Sequence, residues 1–327
     1  MEKQIVLVVG GAGFIGSHML KMLAQSGYHT VCLDNLSTGY RNAVHYGELV
    51  IGDLADINCL EQLFTKYNFS GVIHFASYIR VEESVSNPAK YYQNNLHNTL
   101  NLLNTMVHHN VSSFIFSSTA AIYGDPKYSP IDEIHPKLPI NPYGRSKWMV
   151  EQILEDYDHA YGLKSVRLRY FNAAGADPNG KLSERHIPET HLIPLVLQAA
   201  SGQRPNIKVF GQDYDTPDGT CIRDYIHVDD LCMAHLLALK KIWSTQQSHA
   251  YNLGNGTGFS VLDVIDEARK VTGRKFPVIM AKRRPGDPSI LVADSSLAKR
   301  ELNWQPKYFT LKDMMTHAWN VLGRIEN

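Results

Sequence analysis

Short apolar runs alternate with helical periodicities along the first half of the chain. The stretches at 4–9, 29–33, 49–52, 71–75, 113–117 and 165–169 have the length of buried strands, and each leads into a helical pattern or a loop entering one. That rhythm predicts an α/β fold built on a doubly wound parallel sheet. The first helix repeats its apolar positions at Phe14, Ile15, Met19, Leu20, Met22 and Leu23, and the two longest helices are expected at 88–109 and 142–161. Past residue 172 the rhythm breaks. A turn cluster, Gly175-Ala176-Asp177-Pro178-Asn179-Gly180, precedes shorter elements: a helix over 191–201, a strand over 208–210, and a helix opened by the capping pair Ser260 and Asp263.

The first strand candidate runs directly into Gly10-Gly11-Ala12-Gly13-Phe14-Ile15-Gly16, a glycine-rich turn between a strand and a helix. In that context glycines permit a tight turn and close backbone approach to a pyrophosphate, and the helix N-terminus supplies amide donors. The second strand ends at Asp34, 18 residues beyond Gly16. A carboxylate there accepts hydrogen bonds from ribose hydroxyls and repels a 2′-phosphate, so NAD is expected rather than NADP. These features place a Rossmann-type NAD-binding domain over 1–172. A smaller mixed α/β ligand-binding domain is expected over 173–327, with some exchange of strands or helices between the two.

Tyr143 and Lys147 stand four residues apart near the start of the 142–161 helix, on one face of it. The lysine charge is expected to favour phenolate and make Tyr143 a proton-transfer group. A Tyr-x-x-x-Lys pair alone is an ordinary amphipathic helix; here it follows Ser117-Ser118-Thr119, a hydroxyl-rich strand end able to position the same substrate hydroxyl. Other strand ends offer cofactor contacts: Gly52-Asp53-Leu54, then Phe75-Ala76-Ser77, with Asn95 facing the latter from the long helix.

Composition narrows the field. The 32 basic and 32 acidic residues of this 327-residue chain cancel, and no basic stripe supports nucleic acid or an anionic membrane surface as a partner. With no long apolar span, and a first strand that leaves no room for a signal peptide, the expected location is the cytoplasm. Cys32, Cys59, Cys221 and Cys232 lack metal-ligand spacing and read as reduced thiols; the 15 histidines look dispersed, and no metal is expected.

Glycine loop, strand-end hydroxyl and Tyr-x-x-x-Lys together resemble the extended short-chain dehydrogenase/reductase family, in its UDP-sugar 4-epimerase branch. The likeness extends over Leu168-Arg169-Tyr170-Phe171-Asn172, Arg223-Asp224-Tyr225-Ile226-His227-Val228, Tyr251-Asn252-Leu253-Gly254 and Arg284-Pro285-Gly286-Asp287. It implies C4 epimerisation of UDP-galactose and UDP-glucose through a 4-keto species, with retained NAD. Catalytic residues would be Tyr143, Lys147 and Thr119. The cofactor would touch Gly10, Gly13, Phe14, Ile15, Gly16, Asp34, Asn35, Asp53, Leu54, Phe75, Ala76, Asn95, Ser117 and Tyr170 besides Tyr143 and Lys147. The UDP-sugar would meet Thr119, Tyr143, Asn172, Leu192, Phe210, Arg223, Arg284, Asp287 and Leu291.

Several positions depart from that pattern. Thr119 stands for a common serine, Ile79 followed by Arg80 stands where a lysine often meets the pyrophosphate, and His191 stands for an asparagine. Ala120-Ala121 replaces the Asp-Glu pair of related dehydratases, which argues against a 4,6-dehydratase or decarboxylase. Leu291 is intermediate in size at the position the resemblance puts near the sugar's 2-substituent, leaving N-acetylhexosamine substrates as an alternative. A non-catalytic NAD sensor on the same fold is a further alternative. A homodimer through the helices at 91–109 and 142–161 is expected.

Overall fold

In the computed structural model, residues 4–284 and 286–322 are described; Pro285, within the Arg284 to Asp287 segment, lies outside the described residues. The strands in chain order are β1 (Ile5–Val9), β2 (His29–Asp34), β3 (Glu48–Ile51), β4 (Phe69–His74), β5 (Ser113–Thr119), β6 (Lys164–Tyr170), β7 (Asn172–Ala174), β8 (Ile207–Phe210), β9 (Ile222–His227), β10 (His249–Leu253), β11 (Gly258–Ser260), β12 (Val278–Ala281) and β13 (Ile290–Leu291). The helices are α1 (Phe14–Gln25), α2 (Ile57–Lys66), α3 (Val81–Ser86), α4 (Pro88–Tyr91), α5 (Asn98–His108), α6 (Pro142–Tyr161), α7 (Leu192–Ser201), α8 (Val228–Thr245), α9 (Val261–Thr272), α10 (Ser296–Leu302) and α11 (Leu311–Leu322).

Seven parallel strands form the main sheet in the order β3-β2-β1-β4-β5-β6-β10. The central β1 is continuously apolar, Ile5-Val6-Leu7-Val8-Val9, because both faces of the sheet are covered. On one face α1 and α8 bury Met19, Leu20 and Leu23 with Leu231, Cys232, Leu236 and Leu239. On the other, α2, α5 and α6 bury Leu60, Leu63, Phe64, Leu102, Leu103, Met106, Val150 and Leu154. The chain reverses direction across the sheet between β1 and β4, and ligands of open α/β sheets bind at such a point.

One feature corrects the sequence reading and another refines it. The late elements are not all short: α8 has 18 residues and closes one face of the main sheet, and β10 extends that sheet. Asp229 and Asp230 fall in the first turn of α8, and Asp230 accepts hydrogen bonds from the Lys307 and Tyr308 amides, so charge there serves the helix start and a crossing loop. The expected 88–109 helix is present as one continuous helical run from Pro88 to His108, widened by a π-helical turn at Tyr92–His97 between α4 and α5.

The second lobe sets β11-β9-β13, with β7 on β9, and the β8/β12 pair against α7, α9 and α11. The Ser260 cap is realised in full: Ser260 Oγ accepts from Asp263 N and Asp263 Oδ2 accepts from Ser260 N, both at 2.9 Å. The lobes are tied by a buried Lys21–Asp177 ion pair at 2.5 Å, and within the second lobe Asn172 Nδ2 donates to Asp224 O at 2.8 Å. All four cysteines are free thiols, and among the described residues no helix is long and apolar enough to cross a membrane.

Candidate active site

The glycine loop closes on the end of β4. Gly10 has φ +77°, and a Cβ there would fall 2.7 Å from Ala76 N; a Cβ on Gly16 would fall 2.2 Å from Gly10 O. Only glycine allows this compression, which opens the α1 N-terminus without an acidic side chain in its first turn. Asp34 is nearly buried at the end of β2, accepting from Ala12 N at 2.9 Å and Leu36 N at 2.8 Å. Burial pushes its carboxyl up, and the two amides pull it back. Asn35 donates to Asp53 at 2.6 Å, while Leu54 is buried beside them.

Asn95, fully buried in the π-helical turn, holds the loop after β4. Its Oδ1 accepts from Tyr78 N and its Nδ2 donates to Tyr78 O, each at 2.9 Å, and Nδ2 also reaches Ser146 Oγ at 3.2 Å. Phe75 and Ala76 are thus fixed against Gly10. Ile79 is half exposed, and the Arg80 guanidinium lies 4.0 Å from Glu83.

Thr119, Tyr143 and Lys147 meet at the C-terminal end of β5. Asn141 caps α6 through Gly144 N at 2.8 Å, and Pro142 takes the first helical position, so the helix starts where Tyr143 faces Thr119. The Thr119 hydroxyl lies close enough to the Tyr143 side chain to lower its phenol and accepts from Ala121 N at 3.1 Å. Lys147 Nζ donates to Ser77 Oγ at 2.7 Å and Ser117 O at 2.8 Å. Burial drives Lys147 down to about 7, opposed by Glu151. For Tyr143 burial raises the phenol and the Thr119 contact lowers it, while Lys147 donates to Ser77 and the Ser117 carbonyl. Tyr170, at the end of β6, is raised by burial and eased by Ser117.

In the second lobe the Arg284 guanidinium lies 4.0 Å over the Phe210 ring, and Arg223 pairs with Asp287 at 3.3 Å. Leu291 is in register with Arg223 and packs with Phe171 on Ala120, Ile122, Tyr123 and Ile131, just beyond Thr119. Asn172 opens β7, and Leu192 opens α7.

Three groups escaped the sequence reading. Ser77 lies in a stretch it named but is Lys147's own partner across 70 residues. Glu151, one turn past Lys147 on α6, is buried and accepts from Ser118 and Arg169. Asp224 is fully buried, accepting from Asn255 N, Gly256 N and Ala293 N at 2.8–3.1 Å, and burial pushes it up to about 6. The Glu151 spacing was a visible signal; the Ser77 and Asp224 contacts had none.

A model of the NAD dependent epimerase/dehydratase family matches residues 6–254. The chain belongs to that family. UDP-glucose 4-epimerase of Halalkalibacterium halodurans is 50% identical over 315 residues, covering 96% of this chain and 94% of the relative. A UDP-glucose 4-epimerase from Brucella ovis, solved in complex with NAD, superposes with a TM-score of 0.95 at 49% identity over 97% of each chain. The UDP-Glc/GlcNAc 4-epimerase of Campylobacter jejuni superposes with a TM-score of 0.86 at 43% identity, over 98% of this chain and 99% of its own.

Proposed function

We propose that this chain is a UDP-sugar 4-epimerase that retains NAD and interconverts UDP-galactose and UDP-glucose. The meeting of Thr119, Tyr143 and Lys147 above the strand ends carries the reading. The residues fit NAD: Gly10 and Gly16 leave the backbone approach free, and the α1 N-terminus carries no competing acid. Asp34, with a carboxylate already aligned on the loop amide of Ala12, suits a ribose diol.

The chemistry NAD supplies when bound is reversible hydride acceptance. Tyr143 takes the proton of the sugar C4 hydroxyl and later returns it, while Thr119 orients that hydroxyl and the phenol together. Lys147, held by Ser77 and the Ser117 carbonyl one turn along α6 from Tyr143, would lend its charge to the proton-transfer site and meet the cofactor ribose. Arg223 and Arg284 hold the diphosphate, Phe210 stacks on the base, and Asn172, Leu192 and Asp287 complete the grip. Anchored only there, the 4-keto sugar turns its other face before reduction, and C4 inverts.

Leu291 and the Campylobacter relative, whose name covers UDP-GlcNAc, favour a second reading in which N-acetylhexosamines are also taken. The chain acts in the cytoplasm as a homodimer through α4, α5 and α6; Met149 and Tyr161 of α6 are apolar and exposed. Light scattering is expected to give twice 36.8 kDa, and a monomer would end that part of the reading. The deciding experiment is a proton NMR time course of UDP-galactose with purified protein and no added NAD. A UDP-glucose anomeric signal is expected. No conversion even after NAD is supplied would overturn the galactose reading.

A further inference from the structure

The segment between β7 and α7 gathers Glu184, His186, Glu189 and His191, with one donor atom from each inside 4.8 Å of the others. His186 Nδ1 lies 3.2 Å from Glu184 Oε1 and 3.6 Å from Glu189 Oε2. His191 Nδ1 touches Glu184 Oε1 and lies 3.8 Å from Glu189 Oε1. A tetrahedron of nitrogen and oxygen donors at zinc bond lengths of about 2.0–2.1 Å has edges of roughly 3.3–3.4 Å. The three longer separations lie near that edge, and the His191–Glu184 contact is shorter. Four side chains from eight consecutive residues therefore bring their donor atoms within reach of one small cation.

Two further observations point inward. His186 Nδ1 is shut off from solvent and makes no hydrogen bond, although two carboxylate oxygens lie beside it. Both glutamate side chains are only 6% exposed, and the ion pairs found for them are to these same two histidines. Glu189 Oε1 is oriented by Thr190 N at 2.7 Å and His191 N at 2.8 Å, the kind of outer hydrogen bond that fixes a ligating carboxylate.

We propose that Glu184, His186, Glu189 and His191 form a binding site for one divalent cation of the zinc class, which pins the segment leading into α7. The donor set, two imidazoles and two carboxylates without a thiolate, suits zinc over calcium or magnesium, which take mostly oxygen. The ligand count leaves no open position, so the site is structural and supplies no hydroxide. The competing occupants of the same space are protons on both imidazoles, which balance the carboxylates without metal: burial opposes the charge on each group, yet Glu184 and Glu189 hold His186 up to about 10, and His191 with His186 holds Glu184 down to about 2. Metal binding must displace those protons. The sequence reading treated the histidines as dispersed; the spacing Glu-x-His-x-x-Glu-x-His was visible, but only the fold shows that the segment turns its four side chains to one point.

The test uses untagged, full-length protein, stripped with chelator, reloaded with zinc sulfate and desalted. Elemental analysis is expected to find about one zinc per chain, and zinc-edge X-ray absorption to show a nitrogen and oxygen shell with two imidazoles. Glu184→Gln and His186→Ala should each lower retention at least about tenfold. A Glu61→Ala/His109→Ala protein, altered in the other His/Glu group, Glu61, His108 and His109, should keep it. Wild-type protein retaining under about a tenth of a zinc per chain would overturn the proposal, as would a sulfur-containing shell or zinc lost only with the Glu61/His109 change. If the His186 variant does not fold, the wild-type absorption spectrum decides. The result is independent of whether UDP-galactose is epimerised.

Discussion

Tyr143 and Lys147 share one helix face, yet they are tuned differently by what surrounds them. Tyr143→Phe removes the proposed proton-transfer group and leaves the ring, so kcat for UDP-galactose should fall by about 10²–10⁴ with a smaller change in KM, measured by steady-state kinetics. A variant within threefold of the parent would sink the role. Lys147 carries a pH signature in stability as well. Its folded pKa, about 7, lies below the ordinary 10.5 because burial disfavours the charge. Between those values the unfolded chain binds more protons, so this lysine's contribution to stability rises with pH across the window and its cost is complete below about 7. Urea unfolding should show wild type gaining on Lys147→Met between pH 7 and 9.5, by roughly 1–3 kcal/mol, since each unit is worth about 1.4. A flat difference would mean that the lysine titrates normally. The pair was legible because four-residue spacing is a property of sequence. The lysine's partners were not, because Ser77 and the Ser117 carbonyl reach it only through strand order.

At the scale of elements, the π-helical turn at Tyr92–His97 ties the long helix to the cofactor loop. Widening the helix there places Asn95 so that one amide satisfies both the N–H and the C=O of Tyr78. Asn95→Ala would leave these groups unpaired, at about 1–3 kcal/mol of stability. Because the same loop carries Phe75 and Ala76 against Gly10, the variant should also lose NAD: cofactor per chain after desalting is expected to fall severalfold. Unchanged NAD content with lowered stability would confine Asn95 to a structural role. The apolar runs of β1 to β6 and the capped starts of α6 and α9 were legible because burial and capping leave local patterns. The π turn, α8 and β10 were not read from the sequence: the turn has no periodicity of its own, and α8 and β10 find their places only after the second lobe has begun.

At the scale of the molecule, substrate choice depends on how the lobes meet. Leu291 belongs to the second lobe through its pairing with Arg223, but its side chain packs on residues following Thr119 and on Phe171. A side chain so placed changes the space between the proposed proton-transfer group and the proposed diphosphate grip, next to Arg223 on the paired strand. Leu291→Tyr adds bulk and a hydroxyl at that seam. If the seam accommodates the sugar's 2-substituent, kcat/KM for UDP-N-acetylglucosamine should fall at least tenfold, about 1.4 kcal/mol of discrimination, with UDP-galactose turnover held within about threefold. Parallel loss of both activities would mean that the substitution pushes the lobes apart, and the comparison of Tm with the parent would show it. Equal retention of both would place the 2-substituent elsewhere in the cleft. Selective loss would assign breadth of substrate to one side chain at the junction of two lobes, separate from the residues that move the proton.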